Sequence, residues 1–212
     1  TELQLRKQII ATALRMNAVG INRGKSGNVS ARWKGGFLVT PSGLPYEETK
    51  PADIVFIDGK ATAKGRRPPS SEWRFHFDLY QRKSEVNAVV HTHSSFATTL
   101  ACLGMAVPAF HYMVAVAGGN SIRCAPYATF GTQTLSDHAL GALKERRACL
   151  LANHGMIATG ESLGSALALA VEVEALCEQY WRALQIGKPN LLSDDEMAVV
   201  VEKFKTYNMQ AR

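Results

Sequence analysis

The chain has no C-x-x-C pair, no apolar run long enough for a bilayer and no clustered stripe of basic residues, and each absence closes a class of function. Its four cysteines, Cys102, Cys124, Cys149 and Cys177, lie far apart, which argues against a Cys-rich zinc module and fits reduced thiols in the cytosol. The longest apolar stretches fall far short of the roughly 18 residues that span a bilayer, so no membrane partner is expected. Thr1 to Lys7 show no basic start followed by an apolar core, so no secretory signal is expected there and the expected location is cytoplasmic. Lysine and arginine exceed the acids, 24 against 18, but they are scattered. Without a basic stripe interleaved with stacking aromatics, nucleic acid is not an expected partner. An anionic small substrate accounts for the net charge of +6 at least as well.

With 212 residues, 46% of them apolar, the chain is long enough to bury one full hydrophobic core. Leu5, Ile9, Ile10, Ala13 and Leu14 recur at helical spacing between Leu3 and Val19, and Gly20 ends the pattern. Short β-like pieces follow between glycine-rich turns, at Asn28–Arg32, Phe37–Thr40 and Ile54–Asp58. Pro68-Pro69-Ser70-Ser71 precedes Glu72 to Arg82, which reads as a helix with a serine cap and an apolar face of Trp73, Phe77 and Tyr80. Two apolar strands ending in histidines come next, each succeeded by helical sequence. Leu163 to Leu184 reads as a long amphipathic helix, and Ser193-Asp194-Asp195-Glu196 as a capping box opening the last one. No repeat or linker divides the chain. One α/β domain, with a sheet covered by helices, is the simplest architecture.

The most informative segment is Ala88-Val89-Val90-His91-Thr92-His93. Strand residues i and i+2 point to the same face, so His91 and His93 can grip one ion together. Imidazole pairs placed like this suit a zinc-type divalent metal, with a third ligand brought in by the fold. A second apolar run, Ala148 to Ala152, ends in Asn153-His154-Gly155. The plainer reading of the pair is two buried strand imidazoles satisfied by hydrogen bonds. His76, His111 and His138 read as structural or surface residues.

Three small-residue loops accompany the pair: Ser26-Gly27-Asn28, Thr40-Pro41-Ser42-Gly43 and Pro69-Ser70-Ser71. Each offers backbone N–H groups, or a hydroxyl or amide, without bulk, as a phosphate held by hydrogen bonds requires. Taken singly, each is also an ordinary turn. Ser70 and Ser71 fall at a helix start, where the helix dipole favours an anion. Glu72 follows them directly. It reads either as a helix-dipole partner or as a base or fourth metal ligand.

Taken together these segments resemble the class II aldolase family, in its fuculose-phosphate aldolase branch. The similarity runs nearly end to end. It rests on Gly27-Asn28-Val29-Ser30, Thr40-Pro41-Ser42-Gly43, Pro69 through His76, Ala88 through His93, and Asn153-His154-Gly155. Narrower signals are His111-Tyr112-Met113, the stretch from Ala117-Gly118-Gly119-Asn120-Ser121-Ile122 to Gly131-Thr132, and Glu202-Lys203-Phe204-Lys205-Thr206-Tyr207.

The resemblance implies a three-layer α/β/α fold with a central mixed, largely antiparallel sheet flanked by helices, residues 1–212 forming one domain with a mobile segment at 204–212. It implies one Zn2+ per subunit held by His91, His93 and His154, with Glu72 as ligand at rest and acid/base in turnover. Gly27, Asn28, Ser42, Gly43, Ser70 and Ser71 match the family's phosphate-binding positions. Tyr112 and Tyr207 match catalytic tyrosines, Tyr112 reaching a neighbouring subunit's site in a C4 tetramer. The implied reaction is retro-aldol cleavage of L-fuculose 1-phosphate, or a close ketose 1-phosphate, to dihydroxyacetone phosphate and L-lactaldehyde. Relatives that act as ribulose-phosphate 4-epimerases or phosphorylated sugar-acid decarboxylases supply the alternatives, and a zinc-stabilised assembly protein is the non-enzyme one. Retention of Glu72 beside three histidines argues against the last, because a structural zinc site needs no base. Lys25 departs from the family pattern beside the phosphate loop, where close relatives carry a small hydroxyl residue.

Overall fold

The computed structural model describes residues 1–210, with side chains described through Lys205. Eight strands form one sheet: β1 (Asn28–Trp33), β2 (Gly36–Val39), β3 (Val55–Asp58), β4 (Ala63–Lys64), β5 (Ala88–Thr92), β6 (Arg123–Ala125), β7 (Ala148–Leu151) and β8 (Gly155–Gly160). Their order is β4-β3-β2-β1-β5-β8-β7-β6, and every pair is antiparallel except β6–β7. The helices are α1 (Glu2–Ala18), α2 (Trp73–Arg82), α3 (Ser95–Cys102), α4 (Gln133–Ala142), α5 (Leu163–Ile186) and α6 (Asp194–Gln210).

Alternation along the central strands sorts side chains between two cores. Ala88 and Val90 of β5, Leu150 of β7 and Met156 and Ala158 of β8 pack with Ile9 of α1, Leu100 of α3 and Val173 of α5. Val89, Cys149, Leu151 and Ile157 point the other way, onto Phe75 and Leu79 of α2 and Leu135 and Ala139 of α4. The result is the expected three-layer α/β/α arrangement around a mixed, largely antiparallel sheet. No helix among the described residues is long and apolar enough to cross a membrane.

Three local expectations change. The N-cap of α2 is Glu72 rather than a serine, and the Glu72 side chain makes no capping bond. The Ser70 hydroxyl instead accepts from the Glu72 N–H at 3.3 Å, while the carboxylate is drawn away toward histidines. The buried face of α2 is Phe75, His76, Leu79 and Tyr80, with Trp73 and Phe77 only half-buried beside it. His76 and Tyr80 can be buried because their polar atoms find partners on β1. Finally, β7 is followed by β8 rather than by a helix. Asn153 adopts a left-handed conformation (φ 54°), which asparagine tolerates better than most residues, and the chain doubles back there. At α6 the Ser193 hydroxyl accepts from the Glu196 N–H at 3.1 Å, as the capping pattern predicts.

Candidate active site and metal centre

The site lies at the end of β5, where three elements distant in sequence meet. His91 is the penultimate residue of β5 and His93 follows the strand end. Glu72 comes from the start of α2, and His154 from the β7–β8 turn. One ligand atom from each of the four lies within 4.8 Å of every other. His91 Nε2 is 3.0 Å from His93 Nε2 and 3.0 Å from Glu72 Oε2, and His154 Nε2 is 2.9 Å from Glu72 Oε1.

Backbone constraints hold this convergence. Gly155 must be glycine: a Cβ there would lie 2.9 Å from His93 Cδ2 and closer still to the Thr92 carbonyl oxygen. A Cβ on Gly27 would meet the His91 carbonyl oxygen at 2.6 Å. Phe75 packs edge-on against the His91 ring, with centroids 5.4 Å apart.

The donor set fits a divalent metal. His91 Nδ1 donates to the Met156 carbonyl oxygen at 2.8 Å, so the neutral ring directs a lone pair from Nε2 at Glu72 and His93. Lone pairs facing one another, with the buried Glu72 Oε1 only 2.9 Å from His154 Nε2, demand a positive charge among them. Without a cation, that charge has to be a proton. Burial would by itself lower the His91 imidazole, but the facing Glu72 carboxylate raises it above its ordinary value. Burial likewise tends to raise Glu72, and the charge of His91 with the His154 and His91 contacts more than reverses this, holding the carboxyl far below the usual range. Three imidazoles and one carboxylate oxygen form a ligand set suited to a zinc-type ion.

The cluster opens into a cavity of about 650 Å³. Its lining combines Glu72, His93 and His154 of the cluster with cationic Arg23 and Lys25, small Ser26, Gly43 and Ser71, and aromatic Tyr127 and Phe130. Lys25 Nζ donates to the Gly43 carbonyl oxygen at 2.8 Å and so ties two small-residue loops together.

Of the six residues matched to phosphate binding, Gly43 and Ser71 line this cavity. The other four make bonds within the protein. The Ser42 N–H donates to the Pro68 carbonyl oxygen at 3.1 Å. The Ser70 hydroxyl accepts from Glu72, Gly27 accepts from the Tyr46 hydroxyl through its carbonyl, and the Asn28 amide donates to Glu72 Oε2 at 3.0 Å. Tyr112 is half-exposed and does not line the cavity of its own chain; its ring stacks on His111, centroids 4.9 Å apart, and on Phe204 at 6.4 Å. The Tyr207 side chain lies outside the described residues. The reading of single residues missed Tyr127 and Phe130 as cavity walls, since an aromatic in a loop gives no sign of facing a cleft.

Comparisons with known proteins settle the family. Residues 7–181 match the family described as "Class II Aldolase and Adducin N-terminal domain". The chain belongs to the class II aldolases. The 5-methylthioribulose-1-phosphate/5-deoxyribulose-1-phosphate aldolase of Rhodospirillum rubrum is 56% identical over 212 residues, covering 100% of this chain and 96% of that protein. The L-fuculose phosphate aldolase of Escherichia coli is 52% identical over 208 residues, covering 98% of this chain and 97% of that one. A solved L-fuculose 1-phosphate aldolase superposes with a TM-score of 0.93 at 40% identity, covering 95% of this chain and 96% of that one. This class II aldolase is therefore a metal-dependent lyase, and the four-residue cluster at the end of β5 is its candidate metal centre.

Proposed function

We propose that this class II aldolase cleaves a deoxy-ketose 1-phosphate, L-fuculose 1-phosphate in the first instance, to dihydroxyacetone phosphate and L-lactaldehyde, with one Zn2+ per subunit held by Glu72, His91, His93 and His154. The observation that carries this reading is that one cavity is lined at once by three of the four clustered ligands, by Arg23 and Lys25 with small polar residues, and by Tyr127 and Phe130. Breaking the C3–C4 bond leaves an electron pair on C3, and the bound cation supplies the Lewis acid that spreads this charge onto the neighbouring carbonyl.

The chain's own residues do the rest. Ser26, Gly43 and Ser71 present small polar groups to the phosphate, and Arg23 and Lys25 add positive charge there. Gly27, Asn28, Ser42 and Ser70 belong to the same loops and are braced by the bonds described above. Glu72 moves a proton to and from C3: its carboxylate takes the proton in the condensation direction, and the carboxyl form returns it in cleavage. Tyr112 of a second copy of the chain handles the proton on the C4 oxygen: its phenol donates it in condensation, and its phenolate takes it up in cleavage. Its half-exposed ring, which lies outside its own cavity, supports that role. Tyr207 of the last helix helps to close the aldehyde end. Sites of this kind are completed at subunit interfaces, in keeping with a C4 tetramer. Four free thiols favour a cytoplasmic location.

A second reading differs only in the aldehyde. The relative at 56% identity is named for 5-methylthioribulose 1-phosphate and 5-deoxyribulose 1-phosphate. These share the dihydroxyacetone phosphate half with L-fuculose 1-phosphate and also end in an apolar group, which Tyr127, Ala128 and Phe130 can face. The test follows dihydroxyacetone phosphate release from the three sugars through a coupled reductase, with zinc-loaded protein, with and without chelator. Chelator-sensitive release fastest from L-fuculose 1-phosphate supports the first reading. Faster release from either pentulose moves the assignment to it, and no release from any of them overturns the ketose 1-phosphate reading.

A further inference from the structure

Behind the metal cluster a buried hydrogen-bond chain runs between β1 and α2, away from the cavity. Asn28 Nδ2 donates to Glu72 Oε2 at 3.0 Å. Asn28 Oδ1 lies 2.5 Å from His76 Nε2, His76 Nδ1 lies 2.7 Å from Ser30 Oγ, and Ser30 Oγ lies 2.8 Å from the Tyr80 hydroxyl. All five side chains are buried.

Secondary-structure periodicity builds the chain. Asn28 and Ser30 stand at i and i+2 on β1 and face the same way. Glu72, His76 and Tyr80 stand at i, i+4 and i+8 along α2, on one side of the helix. Zipping the two rows together alternates strand and helix residues. The next strand position, Arg32, continues the row, its guanidinium 5.0 Å from the Tyr80 ring centroid and bonded to the Tyr80 carbonyl oxygen at 3.1 Å.

The direction of the chain is set at its Glu72 end. A carboxylate only accepts, so Asn28 must turn its NH2 toward Glu72 and its oxygen toward His76. His76 must then carry its proton on Nε2 and accept at Nδ1 from the Ser30 hydroxyl, whose oxygen accepts from Tyr80. The opposite arrangement would press the Asn28 oxygen against the Glu72 carboxylate. Burial pushes the His76 imidazole down to about 3, so it is neutral and has only one N–H to place.

We propose that His76, backed by Ser30 and Tyr80, is a positioning residue that locks the Asn28 amide and thereby fixes the Glu72 carboxylate for metal binding and turnover. The inference rests on the reading of Glu72 as a metal ligand. Bonds beyond the ligands commonly change metal affinity or activity 10–100-fold, roughly, when they are lost. Nothing in His76 touches the cavity, so its effect is indirect.

The test compares His76→Phe with His76→Gln. Phenylalanine keeps an aromatic ring between Phe75 and Phe37 but removes both nitrogens, whereas glutamine restores an N–H donor directed at Asn28. Cobalt titration, the visible spectrum of the cobalt form, kcat, KM and the melting temperature are measured for the whole chain. Expected are an approximately 10–100-fold loss of cobalt affinity or kcat in His76→Phe at nearly unchanged KM, below its melting temperature, and substantial recovery in His76→Gln. Equal loss in both variants, or none in His76→Phe, overturns the proposal. If His76→Phe does not fold, nitrogen NMR of 15N-histidine-labelled parent protein decides: a neutral Nε2–H tautomer at His76 supports the proposal and an Nδ1–H tautomer overturns it. A parent chain that binds no cobalt overturns the ligand reading of Glu72 first, and the positioning role with it.

Discussion

The two polar ends of the cavity are built by opposite means. At the metal end, His91 is fully buried on a central strand and Glu72 is buried at a helix start, each held by further bonds, with Gly27 and Gly155 admitting close packing around the histidine strand end. At the proposed phosphate end, Lys25, Ser26 and Gly43 are exposed residues of loops, joined by a lysine bond to a carbonyl. Metal chemistry tolerates little displacement of its ligands, so they stand on or beside rigid elements. A phosphate is large, doubly charged and satisfied by many donors, so loops suffice to hold it. The contrast teaches that substitutions at the first end should act on turnover and stability, and at the second on binding.

The largest expected effect is at Glu72. Glu72→Gln keeps the fold and bound zinc but lowers kcat by about 10²–10⁴, the usual value of a general acid–base group. Metal analysis and steady-state rates check it, and full activity would remove Glu72 from the chemistry. Chelation of the parent protein should likewise abolish activity while circular dichroism stays native, because both cores form without the metal cluster.

Gly155→Ala forces a methyl group into the Thr92 carbonyl and His93 ring. A loss of about 1–3 kcal/mol in denaturant unfolding is expected, with weakened metal binding. Stability unchanged within error would show that the turn has room to shift.

Acidification should act through His76, whose folded value is pushed down to about 3 by burial, well under the ordinary 6.5. Between those limits the unfolded chain binds a proton that the folded chain refuses, so stability is full above 6.5 and declines as the pH falls. The slope from this one group approaches about 1.4 kcal/mol per pH unit. Urea unfolding across this range checks the slope, and His76→Phe should make it shallower, leaving the part of the same sign from His93, which burial lowers to about 4.

The smallest effect is expected at the phosphate end. Lys25→Met should raise KM by roughly three- to tenfold, the scale of one exposed or half-exposed charged contact, with kcat nearly unchanged. If Lys25→Met lowered kcat as much as Glu72→Gln, the contrast between the two ends would fail.

Legibility in the sequence follows the same division. His91 and His93 announce themselves because strand period brings i and i+2 to one face, and Glu72 is conspicuous beside two serines. The phosphate end is less readable. Ser42, Ser70 and Asn28 have suitable groups, but whether those groups face the cavity or a neighbour depends on the packing of three loops, and here they bond within the protein. The row Glu72, His76, Tyr80 and the row Asn28, Ser30 were also present as patterns. Tyr80 reads as core, His76 as structural or surface and Asn28 as a phosphate-loop residue, because neither row signals that it meets the other.

By itself, the sequence determined the layered α/β class, most helices and strands, the histidine pair and the family, since these depend on local period and on side-chain identity along contiguous stretches. The family resemblance already implied that His154 and Glu72 join His91 and His93, and the fold brings the four together; tertiary structure alone decided that Asn28 serves Glu72 and that Tyr127 and Phe130 wall the cavity. Those contacts depend on the order of strands in the sheet and on the side of each helix that packs against it. That placement is set by the packing of the whole chain, which local sequence does not encode.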